Sequence, residues 1–160
     1  MMEQGFRTFA EVIAFAVMRE EESHRFYKDL AEKTDDPFLK PLFSEFAKDE
    51  LKHKQVLQDL DAGALDRMLE KIAAKQEDLG IAKNMEKVSP DPRMPFGDAL
   101  ILAMKREDKA FELYSFLAEI CEDDDLSILF LGLAREEEQH RTKIETTYQS
   151  LFGPQIGKAE

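Results

Sequence analysis

Cysteine occurs once in the 160 residues, at Cys121, and tryptophan not at all. A single cysteine excludes an intramolecular disulfide and gives no reason to expect an oxidising compartment. Glycine and proline are scarce, with 7 and 6 residues, and that suits a helical chain better than a sheet protein. Basic charge is short as well. The 22 Lys and Arg residues face 34 Asp and Glu, a formal net charge of −12. Nucleic acid and anionic membrane surfaces are thereby excluded as partners, because both demand a basic face. No apolar run approaches the length of a membrane span. The N-terminal stretch is interrupted by Glu3, Arg7 and Glu11, so no signal peptide is expected. The expectation is a cytoplasmic protein of one domain, long enough for a real core and too short for two.

What the chain has in quantity is helical periodicity. A first helix is predicted from about residue 6 to 33, with Phe6, Ile13, Glu20 and Tyr27 on one heptad row and Phe9, Ala16, Ser23 and Leu30 beside it. A second spans about 39 to 60, after the start signal Asp35-Asp36-Pro37; Pro41 leaves its first turn open. A third runs from about Pro95 to Cys121. The fourth follows Asp123-Asp124-Asp125, a run of candidate N-caps, and stops at Gly153-Pro154. The connection over 61–95 is long. Its first half, 64–78, reads as a short amphipathic helix with Leu65, Met68, Leu69 and Ile72 on one side, and its Pro-rich end from Ser89 to Pro95 cannot be helical. Short turns within pairs and a long link between them predict an all-α four-helix bundle made of two helical hairpins joined by a crossover.

The two hairpins are copies. At an offset of 87 residues Glu20 maps onto Glu107, Tyr27 onto Tyr114, Glu50 onto Glu137 and His53 onto His140. Arg19 maps onto Arg106, and apolar positions follow: Ala16 onto Ala103, Leu30 onto Leu117, Phe43 onto Phe130, Ala47 onto Ala134. A lone Glu-x-x-His is weak evidence in so acidic a chain; Glu21 and His24 show the same spacing by chance. Two such pairs, related by an offset that other residues fix, form a strong signal.

Each polar member of the constellation interrupts an apolar row. Glu50 stands between Phe43 and Leu57, His53 between Phe46 and Leu60, Glu20 between Ile13 and Tyr27, and Glu107 between Leu100 and Tyr114. Glu137 shares its row with Phe130, Ile144 and Leu151, and His140 with Leu133. All six should point inward. Four carboxylates converging in a core would repel one another, and each costs several kcal/mol to desolvate without a partner. Two divalent cations would balance the four charges. The six candidate metal ligands are therefore Glu20, Glu50, His53, Glu107, Glu137 and His140. Carboxylates with one imidazole per ion favour iron or manganese, with zinc a possible substitute, rather than a closed thiolate zinc site. Residues three apart on a helix project from one face, so Glu50/His53 and Glu137/His140 each give a bridging carboxylate and a terminal imidazole, while Glu20 and Glu107 cap the ends.

At these residues the chain resembles the rubrerythrin branch of the ferritin-like superfamily. The matching patterns are Glu20 with Phe26-Tyr27, Glu50-Leu51-Lys52-His53, Glu107 with Leu113-Tyr114, and Glu137-Glu138-Gln139-His140. They cover all four predicted helices. The resemblance implies a ferritin-like bundle, a di-iron carboxylate centre and reaction with hydrogen peroxide or dioxygen. In rubrerythrins proper the electrons arrive through a rubredoxin-type iron site, which needs four cysteines. Here an external donor, rubredoxin-like or a flavoprotein, is expected. Rubrerythrins proper also carry a glutamate three residues after the third-helix ligand, where this chain has Ala110. That departure keeps open a second reading, an iron-binding or ferroxidase module for iron handling or storage. A homodimer or larger homo-oligomer is expected in either case.

Neighbouring residues carry lesser expectations. Tyr27 and Tyr114 are read as donors to the ligand carboxylates. His24 maps onto Phe111, outside the repeat, and is read as a satisfied boundary histidine. Asp49 and Glu136 are read as solvent-facing, and Cys121, which matches Thr34, as packing. Arg19 and Arg106 either pair at the surface or temper the negative field near the site.

Overall fold

A computed structural model describes residues 9–60 and 94–153. Every regular element among them is helical: α1 (Phe9–Lys33), α2 (Leu39–Gln58), α3 (Phe96–Ile120) and α4 (Asp124–Leu151). The helix predicted over 64–78, and the crossover around it, lie outside the described residues. The chain divides into two compact units, Met1–Met85 and Glu86–Glu160, each carrying one hairpin.

The second helix of each hairpin starts on an aspartate in the same register. Asp36 Oδ1 accepts the backbone N–H groups of Phe38 at 2.8 Å and Leu39 at 3.1 Å, while its carbonyl accepts Lys40 N at 3.0 Å. Asp123 Oδ1 accepts Leu126 N at 3.0 Å, and its carbonyl accepts Ser127 N at 2.9 Å. Both satisfy donors that the first turn of a helix leaves open and place negative charge at the positive end of the dipole. Pro41 falls in the first turn of α2, where its missing N–H costs no hydrogen bond. Pro95 stands in extended conformation at the N-cap of α3. At the far end of α4, Gly153 N reaches Gln149 O at 2.9 Å. A Cβ at residue 153 would sit 2.7 Å from the Gln149 Cα, so only glycine allows the chain to leave that closely.

Within each unit the helices run antiparallel, and the ties between them repeat at the offset of 87. Ala31 O receives Lys40 Nζ at 2.8 Å, and Ala118 O receives Ser127 Oγ at 2.9 Å. Further along, Tyr27 stacks on Phe43 with ring centroids 6.3 Å apart, and Tyr114 on Phe130 at 6.5 Å. The first hairpin adds edge-on contacts of Tyr27 with Phe26 and Phe46; the second has Leu113 and Leu133 there, so its core is aliphatic at those points. Offset and edge-on ring pairs each contribute about 0.5–1.5 kcal/mol beyond the area they bury. The stacked pairs lie seven residues, two turns, from Glu20, Glu50, Glu107 and Glu137, and fix the register that positions them.

Candidate metal centre

In the first unit α1 supplies Glu20 and α2 supplies Glu50 and His53, all three buried. His53 Nδ1 lies 3.1 Å from Glu50 Oε1 and 3.6 Å from Glu20 Oε2. In the second unit α3 supplies Glu107, and α4 supplies Glu137 and His140, again all buried. His140 Nδ1 lies 3.4 Å from Glu107 Oε2 and 3.6 Å from Glu137 Oε1. In both triads one potential ligand atom from each residue lies within 4.8 Å of the others. The same ring nitrogen, Nδ1, is turned toward both carboxylates in both copies.

The register explains the convergence. Glu50 and His53, like Glu137 and His140, are one turn apart on a single face. Antiparallel packing then brings Glu20 and Glu107 across from them. Glu107 shows the electrostatic consequence: burial, reinforced by the neighbouring Glu137 charge, pushes its carboxyl well above the usual carboxylate range, against the pull of His140. A buried acid in that state is uncomfortable as an anion and is relieved by a cation. Two carboxylates and one imidazole per hairpin are the donor types that hold divalent first-row metals such as iron or manganese, and each triad could hold a metal ion.

The rubrerythrin family model matches the chain over residues 11–90 and 98–159. The chain belongs to the rubrerythrin family. Its two-hairpin, all-α build is the ferritin-like four-helix class that the sequence predicts. No curated protein and no solved structure matches the chain. Among the described residues no helix is long and apolar enough to cross a membrane.

For a rubrerythrin-family chain the residues beside the triads are informative. Tyr27 and Tyr114 are each 1% exposed and stacked as described above. His24 Nδ1 donates to Ala47 O at 2.9 Å, an interhelical tie by a half-buried ring. Because a carbonyl only accepts, Nδ1 carries the proton. Glu136 is exposed and Asp49 half-buried. Arg19 lies over the Phe15 ring, 5.6 Å from its centroid, and is half-buried, whereas Arg106 is buried. Cys121 is half-buried at the C-cap of α3, and burial with the nearby Asp123 pushes its thiol up to about 11.

One pair of contacts escaped the sequence reading. Lys54 Nζ meets Glu21 Oε1 at 2.8 Å, and Arg141 Nε meets Asp108 Oδ1 at 2.9 Å. Each joins the residue after a first-helix glutamate to the residue after a histidine, and the two pairs correspond under the offset of 87. The signal was present as conserved charge sign, Glu for Asp and Lys for Arg, in a comparison restricted to identical residues. Lys54 holds Glu21 below the usual carboxylate range through its hydrogen bond, with Arg25 assisting. The clamps tie the two helices of a hairpin together immediately beside the candidate ligands.

Proposed function

We propose that Glu20, Glu50, His53, Glu107, Glu137 and His140 together form one di-iron centre, and that the chain is an oxidoreductase that reduces hydrogen peroxide or dioxygen. The observation that carries this reading is the burial of two acids and one imidazole in each of two copies of one hairpin. Family membership supports it. The two units then act as one ferritin-like domain over residues 1–160, joined by the crossover at 61–95.

When bound, the two irons supply Lewis acidity and cycle between ferrous and ferric states, with manganese or zinc as possible substitutes. The protein's own part is charge and position. His53 and His140 would offer Nδ1 while neutral, and Glu20, Glu50, Glu107 and Glu137 would supply the carboxylates that hold the ions and balance their charge. Tyr27 and Tyr114 line the apolar side and donate to ligand carboxylates. The Lys54–Glu21 and Arg141–Asp108 clamps keep Glu20 and Glu107 in register with the histidines. Electrons come from an external donor, and the setting is cytoplasmic, where ferrous ion and a free thiol both persist.

A second reading is favoured by Ala110, which stands where rubrerythrins proper carry a further glutamate. On that reading the same centre binds and oxidises iron for handling or storage without peroxide turnover. Anaerobically loaded ferrous protein mixed with peroxide separates the two. The enzyme reading requires repeated peroxide consumption with an external reductant, faster than free ferrous ion. A single oxidation followed by release or storage of ferric iron would contradict it and leave the second reading standing.

A further inference from the structure

The buried face of α3 is broken at one place. Around the helix axis, Ala103, Arg106, Glu107, Leu113, Tyr114 and Leu117 all lie within about 60° of Ala110. All six are buried, Ala103 and Leu117 completely. Ala110, in the middle of that arc, is only half-buried. Solvent therefore reaches the centre of the face while the turns before and after it are closed. A close-packed face does not admit solvent at its midpoint, so a hollow stands over the Ala110 methyl. It adjoins Glu107, because residues three apart project from the same side of a helix.

The first hairpin has the same break with different chemistry. Ser23 stands on α1 where Ala110 stands on α3. Ala16, Glu20, Phe26, Tyr27 and Leu30 surround it and are buried, whereas Ser23 is half-buried. A break that recurs at the same point of both copies belongs to the hairpin and not to one side chain. Its character is set by the residue at its floor. The Ser23 hydroxyl can donate to and accept from water. The Ala110 methyl can do neither, and Leu113 and Leu117 follow it on the same arc. Water held over such a surface finds few partners, and an apolar group gains by displacing it. On the other side of Ala110, toward the start of α3, stand Arg106 and Glu107. The α3 hollow thus has a charged end beside the candidate centre and an apolar end away from it.

We propose that Ala110 is a specificity-determining position and that the hollow over it fits the centre to small alkyl hydroperoxides; the proposal rests on the peroxide-reducing reading above. The alkyl group sits over the Ala110 methyl and toward Leu113 and Leu117, and the hydroperoxide group lies on the Glu107 side. Hydrogen peroxide has no apolar end and gains nothing from the hollow. The O–O bond of ROOH breaks, and two electrons with two protons from solvent give ROH and water. In turnover the electrons come from the external one-electron donor; in a single turnover two ferrous ions supply them and become ferric.

Two measurements on the full-length chain test it. The first needs no iron. tert-Butanol, the alcohol such a reaction releases, is titrated through the millimolar range into protein carrying carbon-13 in its alanine methyls. The Ala103 and Ala110 resonances are expected to shift saturably while that of the exposed Ala14 does not. Ala110→Leu keeps a good helix former, fills the hollow and is expected to abolish the Ala103 shift. A uniform, unsaturable drift of all alanine resonances would overturn the proposal. The second measurement mixes anaerobic ferrous protein with tert-butyl hydroperoxide or hydrogen peroxide in stopped flow and compares each rate with that of free ferrous ion. The acceleration is expected to be larger for tert-butyl hydroperoxide. The ratio of the two accelerations should fall about tenfold in Ala110→Leu. It should fall less in Ala110→Ser, which installs the α1 residue and still reads out the hollow if leucine disturbs folding. A ratio unchanged in both variants would overturn the proposal. Acceleration of hydrogen peroxide alone would reject the alkyl substrate and leave the peroxide-reducing reading standing. Acceleration of neither would reject that reading, and the proposal with it.

Discussion

Glu107 shows most directly what a metal ion would relieve in the triads. Burial and the Glu137 charge raise its carboxyl well above the usual range, so in the metal-free protein the protonated form is the one the fold favours. A raised folded-state value means that this residue's stabilising effect is complete below about pH 4.5 and is lost as pH rises through the folded value. Metal-free protein should therefore gain stability on mild acidification from neutrality, and Glu107→Gln should remove that part of the pH dependence. At pH 7 the metal-free Gln variant should be more stable than metal-free wild type by on the order of 1 kcal/mol, and it should bind iron more weakly. Urea titrations of the metal-free proteins at several pH values would show both effects. Cys121 offers an independent check at the same scale. With its thiol near 11, alkylation should be slow at pH 8 and accelerate about tenfold per pH unit as the thiolate fraction grows. Rapid reaction at neutral pH would contradict the packing role assigned to it.

At the level of helices, the repeat governs capping and clamping as well as ligands. Asp36 and Asp123 open α2 and α4 with the same hydrogen bonds. Asp36→Ala and Asp123→Ala should each lower stability by about 1 kcal/mol, read as a fall in Tm. The clamps beside the ligands are partly exposed, and their worth as ion pairs is about 0–1 kcal/mol. Lys54→Met or Arg141→Met should thus change Tm little. The larger expected effect is on iron affinity, because Glu20 and Glu107 adjoin the tethered acids; unchanged affinity in both variants would show that the clamps do not position the ligands. Most of this level was legible in the sequence. The second, third and fourth helices begin and end close to the predicted limits and the first ends at its predicted limit, its predicted start near residue 6 lying outside the described residues; Asp36-Pro37, Asp123 and Gly153 act through backbone hydrogen bonding that a few neighbouring residues determine. The clamps were missed for a physical reason too: Glu21 and Asp108 keep only charge, not identity, and exposed charges are numerous in so acidic a chain. The His24–Ala47 tie was beyond reach, since its acceptor is a backbone carbonyl that no side-chain pattern marks.

For the molecule as a whole, the internal duplication is the feature from which structure and proposed chemistry both follow. One hairpin provides two acids and one imidazole; a second copy provides the same set, and no Lys or Arg occupies the ligand rows to neutralise them. Ala110, where rubrerythrins proper carry a further glutamate, bears on which reaction the centre supports; the first copy has Ser23 at that position, so the repeat alone does not mark the departure. Loss of either histidine should be unequal to loss of one site out of two independent ones. If both triads serve a single centre, His53→Ala or His140→Ala alone should abolish tight binding of both ions, as followed by iron content after desalting. Two independent sites would each retain one.

The most direct test of the account is an anaerobic ferrous titration of metal-free protein followed by Mössbauer spectroscopy before and after oxidation. A single centre built from both hairpins predicts two ions per chain and, once oxidised, an exchange-coupled diferric pair with a diamagnetic ground state. One ion per chain, or two ions that remain magnetically independent high-spin ferric sites, would contradict it.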